Sequence, residues 1–122
     1  MIILLISSSL IAHSQTTAYQ HADCMWPSYP GGDTALAHFI QANIKYPDSS
    51  MFYGIEGRVL VKFKVSRDGS TGETTVVRGL DKYINAESLR VINLLHFEPF
   101  KPSDTCQSSF VALPIEYKIS NR

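Results

Sequence analysis

No run in this chain is apolar for the ~20 residues that a bilayer-spanning helix needs. Charge of one sign is also missing: 11 basic and 11 acidic side chains cancel among 122 residues, so nothing in the composition draws nucleic acid from a distance. Cysteine occurs only twice, too rarely for a disulfide-rich scaffold, and there is no Cys-x-x-Cys. The glycines do not gather into a phosphate-binding loop, and no nucleophile elbow is present. His21, His38 and His96 share no ligand spacing, and His21-x-x-Cys24 is half a metal site. The acids are scattered, and neither a repeat nor a low-complexity tract appears. These absences argue against an enzyme, a metal centre, a cofactor and a nucleic-acid partner. What remains, 44% hydrophobic and 18% charged residues, reads as one folded globular domain.

The strongest pattern runs from Glu56 to Gly79. Val59, Val61, Phe63 and Val65 alternate with Arg58, Leu60, Lys62 and Lys64, the period of a half-buried strand. Arg67-Asp68-Gly69-Ser70 then reads as a hairpin turn, because Asp and Gly tolerate the positive φ of a tight reversal. Glu73 to Val77 resumes as a second strand. Two strands alone are marginal in water, so the remaining chain must cover their apolar face.

Met1 to Ala12 is apolar apart from Ser7, Ser8 and Ser9, and Ala12-His13-Ser14 resembles a cleavage site. The expected organisation is a signal peptide over 1–14, an extended arm over 15–28 and a domain over 29–122. Cleavage would leave Gln15 as the N-terminus and place the protein in the periplasm; the alternative is an uncleaved, inner-membrane-associated N-terminus. In an oxidising compartment, Cys24 and Cys106 are expected to bridge.

Within the domain, Asp33 or Thr34 is the expected cap of a first helix carrying Leu36, Phe39, Ile40 and Ile44 on one stripe. Tyr46-Pro47 stops it, and a short helical turn is expected over Asp48 to Tyr53. A second helix is expected over Asp81 to Leu95, with Asn85–Ser88 as its first turn and Leu89, Ile92 and Leu95 or Leu94 buried. Phe110 to Ile119 is the last strand, and Pro114 assigns it to a sheet edge. The predicted fold class is α+β in two layers: a three-stranded antiparallel sheet in the order α-β-β-α-β, with two helices on one face.

Taken in order, several short pieces resemble the C-terminal domain of the TonB family. They are Tyr29-Pro30-Gly31-Gly32, Tyr46-Pro47, Gly57-Arg58-Val59, Val65-x-x-Asp68-Gly69, Val76-Val77-Arg78-Gly79, Ala86-Glu87-Ser88-Leu89-Arg90, Phe97-x-Pro99 and Leu113-Pro114-Ile115. Together they cover Tyr29 to Ile119. The resemblance implies a periplasmic interaction module that grips an extended peptide of an outer-membrane TonB-dependent transporter by strand addition. The implied peptide-binding residues are Phe110, Val111, Ala112, Leu113, Ile115, Glu116 and Tyr117, and a proline at Ile115 or Tyr117 would block binding if that N–H faces the peptide. The family's Pro-rich spacer and anchor helix are not seen in this sequence. Only binding is therefore carried over, with a separate inner-membrane anchor or motor protein as the expected source of energy. Strand edges would also admit a homodimer. The rival reading is a secreted α+β inhibitor-like module that binds through the hairpin tip, residues 66–72.

Overall fold

A computed structural model describes residues 26–119. The expected signal peptide, its cleavage site, His21 and Cys24 lie outside the described residues, so the Cys24–Cys106 bridge stands as an expectation. The elements are α1 (Gly32–Asn43), α2 (Asp48–Phe52), β1 (Gly57–Ser66), β2 (Thr71–Arg78), α3 (Lys82–Ile92) and β3 (Ser108–Tyr117). The sheet is antiparallel in the order β2-β1-β3. The expected α+β architecture is the one observed, and no helix among the described residues is long and apolar enough to cross a membrane.

β1 is the axis of the molecule. Val59, Val61, Phe63 and Val65 are fully buried, whereas the alternate side chains are exposed or half-buried. Ile40 of α1 and Ile84, Val91 and Ile92 of α3 close over that face with Leu95, Phe97, Ile115 and Tyr117. Leu36, Phe39, Ile44 and Leu89 pack around this core half-buried. Leu95 is buried and Leu94 exposed, which settles the alternative left open at the end of α3.

Several boundaries differ from expectation. Helix α1 is not capped by Asp33 or Thr34: its N-cap is Gly31, left-handed at φ 91° and without a side-chain cap bond. Its start is thus set by a backbone conformation that glycine adopts freely. Helix α3 begins at Lys82, within one residue of the expected Asp81, so its first turn precedes Asn85–Ser88, and it ends at Ile92 rather than Leu95. Asp81 is the N-cap, its carboxylate accepting from the Ile84 N–H at 2.7 Å and from the Ser50 hydroxyl at 2.7 Å. These bonds hold the Asp81 carboxyl below its ordinary pKa despite partial desolvation. Strand β3 runs over Ser108–Tyr117, two residues earlier than Phe110–Ile119.

Candidate peptide-binding edge

An antiparallel sheet of three strands has two edges, and they differ here. β2 pairs with β1 through two register shifts, and its Glu73 has a positive φ of 47°. Such irregularities twist and blunt an edge. β3 pairs with β1 over ten consecutive residues without a shift, from Gly57↔Tyr117 to Ser66↔Ser108. Among the described strands nothing pairs with the far side of β3.

Which β3 groups face outward follows from the hairpin. Ser66 donates its N–H to the Ser70 carbonyl at 2.9 Å, and its own carbonyl accepts from the Gly69 N–H at 2.8 Å. The backbone of Ser66 therefore faces β2. Direction alternates along a strand, so the even-numbered residues of β1 face β2 and the odd-numbered ones face β3. In the register, Leu60 lies opposite Pro114, Lys62 opposite Ala112 and Lys64 opposite Phe110, all non-hydrogen-bonded pairs. Phe110, Ala112, Pro114 and Glu116 thus turn their backbone to the open edge. Val111, Leu113, Ile115 and Tyr117 spend theirs on Phe63, Val61, Val59 and Gly57. Pro114 sits where its missing N–H costs the ladder nothing. Of the seven expected binding residues, Phe110, Ala112 and Glu116 offer main-chain groups. The other four hold the strand in place, and the amides of Ile115 and Tyr117 point into the sheet.

The C-terminal end of β3 is fastened to α3. The Ser88 hydroxyl lies 2.9 Å from the Tyr117 hydroxyl and donates to the Ile84 carbonyl at 2.9 Å. Tyr46 stacks edge-on against Tyr117, centroids 5.5 Å apart. Burial pushes the Tyr117 hydroxyl up to about 12, the Ser88 contact acting in the opposite direction. Because the folded value lies above the ordinary 10.0, this group's contribution is full below pH 10 and is lost as the pH rises from 10 through 12. Urea unfolding is expected to show stability falling across that window, with a shallower fall in Tyr117→Phe. Tyr46, also raised by burial and by Glu56 and Asp81, accounts for part of the remainder.

The N-terminal end of β3 is fastened by Arg67, which sequence reasoning left on the hairpin tip. Its guanidinium donates to the carbonyls of Asp104 at 2.6 Å, Lys101 at 3.1 Å and Cys106. It also lies 5.8 Å from the centroid of the Phe100 ring. The Phe97 N–H donates to the Gly69 carbonyl, and the Phe100 N–H to that of Arg67. The tip is thereby occupied from within, by the chain leading into β3. Asp68 turns its carboxylate onto the N–H and hydroxyl of Ser70, which lowers its pKa. No group of three His, Cys, Asp or Glu among the described residues could hold a metal ion.

The fold is a small α+β domain whose sheet leaves one side of β3 unpaired among the described strands. The chain matches the family described as Gram-negative bacterial TonB protein C-terminal over residues 42–119, more than half its length, and it belongs to that family. It is similar to two solution structures of the Helicobacter pylori TonB C-terminal domain. One is 28% identical with a TM-score of 0.56, covering 70% of this chain and 78% of that one. The other is 26% identical with a TM-score of 0.58, covering 73% and 95%. The Pseudomonas aeruginosa TonB C-terminal domain is 25% identical with a TM-score of 0.54, covering 65% of this chain and 81% of that one. A comparison with curated proteins finds no match.

Proposed function

We propose that this domain works in the periplasm, where it binds an extended peptide of an outer-membrane transporter by adding it as a fourth strand beside β3. The observation that carries the reading is the regular, unbulged β3 edge, with its outward backbone at Phe110, Ala112 and Glu116. Main-chain bonds would supply the affinity. Pro114 interrupts the row of donors, so the paired stretch is short, on the order of five residues on one side of it. Membership of the TonB C-terminal family supports a partner of this kind, and the role is binding without catalysis. Energy for transport would come from a separate inner-membrane anchor or motor protein. The edge would also serve a homodimer, which a long transporter peptide would displace. The hairpin-tip reading is disfavoured by the Arg67 and Gly69 contacts that already fill the tip.

Ala112→Pro tests the proposal. Its nitrogen faces away from β1, so the substitution removes a donor from the open edge and none from the ladder. Binding of peptides tiled across the periplasmic segments of outer-membrane transporters should weaken at least tenfold (about 1.4 kcal/mol), with the circular-dichroism spectrum unchanged. Asp68→Ala at the tip should leave the affinity within about twofold. The opposite ranking would transfer the function to the hairpin.

A further inference from the structure

Main-chain pairing is indifferent to the sequence of the added strand, but the surroundings of β3 are not. On the helix side of the sheet, Trp26, Leu36 and Phe97 form a groove against Val111 and Leu113, with Asp33 also lining it. Trp26 is 60% exposed, a large indole standing open beside an unpaired strand. On the opposite side, Lys62, Phe110 and Ala112 border a hollow. Lys62 lies directly opposite Ala112, with its ammonium 5.1 Å from the centroid of the Phe110 ring. The ion pairs among the described residues join Lys64 to Glu73 and Arg90 to Glu87, which leaves Lys62 without a carboxylate.

We propose that β3 selects its peptide by side chain: apolar residues at alternate positions enter the Trp26 groove, and an acidic residue out of phase with them reaches Lys62 across Ala112. The inference rests on the strand-addition reading. Its phase follows from the pleat. A residue opposite Ala112 projects to the face that carries Lys62, whereas residues opposite Val111 and Leu113 project into the groove. Ala112 ends in a methyl group, so no bulky side chain separates the two charges. The peptide strand lies about 10 Å from β1, two interstrand spacings, within the joint reach of a glutamate and a lysine. A slip of one residue would move the acid beside Asp33 and turn the apolar side chains to solvent. Both faces therefore favour the same register.

The probe is a capped nine-residue peptide alternating valine with threonine, with one glutamate in place of the central threonine. Counterparts carry lysine at that position, or serine for every valine. Binding is read from the emission of Trp26, the only tryptophan of the chain, and from exchange of the Ala112 amide. The glutamate peptide should bind about fivefold more tightly than the lysine peptide, as for a partly desolvated surface ion pair. Lys62→Glu should reverse that order. The serine peptide should bind at least about tenfold more weakly, and only the valine peptides should shift Trp26 emission to the blue. Equal affinity for the glutamate and lysine peptides, with Ala112 protected by both, overturns the inference and leaves strand addition standing. An Ala112 amide that no peptide protects overturns both.

Discussion

Truncation of Phe63 to alanine should destabilise the domain by about 3–5 kcal/mol. Phe63 is fully buried at the centre of β1, which lies between β2 and β3 and is hydrogen-bonded to both. Its ring lies 6.0 Å from that of Phe97, which meets Tyr29 edge-on at 5.5 Å; Tyr29 in turn faces Phe39 of α1 at 6.3 Å. One side chain therefore links the sheet, the segment leading to β3 and the first helix. A strand clamped by two ladders cannot move inward to close the void, so little of the loss is recovered by relaxation. Small domains have about 5–15 kcal/mol in total, so the loss is a large share of the stability. Urea titration measures this, and a loss below about 1 kcal/mol would place the ring outside the core.

Gly69→Ala should cost about 2–4 kcal/mol, combining left-handed strain with a broken backbone bond. Gly69 has φ 92°, and a β-carbon there would lie 1.9 Å from the Phe97 carbonyl oxygen. The same stretch donates the Phe97 N–H to the Gly69 carbonyl at 2.8 Å, so the two backbones cannot separate without losing the clasp. For a domain of this size the melting temperature should fall by at least roughly 8 °C. Gly72→Ala is the control: beyond its two chain neighbours, no atom lies within 4 Å of its added carbon. Its melting point should stay within about 3 °C, and equal losses in the two variants would contradict the close approach at Gly69.

The legible parts of the fold were those written in local periodicity. The alternation from Arg58 to Val65 assigned the buried face of β1 correctly, and Asp68-Gly69 marked the hairpin. Pro114 alone placed the last strand at an edge. The start of α1 was hidden because Gly31 caps it with a backbone angle rather than a side chain. In α3 the buried stripe of Ile84, Ser88, Val91 and Ile92 includes a serine, which reads as solvent-facing until Tyr117 is found above it. The orientation of the edge was carried in the sequence only by Pro114, whose missing N–H suits the open side. It depends on the two hydrogen bonds of Ser66, which choose between the Ile115 set and the Ala112 set. Arg67 invited a binding role at the tip because its three carbonyl partners lie more than thirty positions along the chain. The groove beside β3 gathers residues 26, 36, 97 and 111–113, a juxtaposition created only by folding.

Residue-resolved amide exchange of the full chain, with and without a bound transporter peptide, tests the central claim most directly. In the free protein the amides of Val111, Leu113, Ile115 and Tyr117 should exchange slowly and those of Phe110, Ala112 and Glu116 quickly; the peptide should slow Phe110 and Ala112. Slow exchange of Ala112 and Glu116 without peptide, persisting after deletion of residues 15–25, would contradict the account and move the binding edge elsewhere.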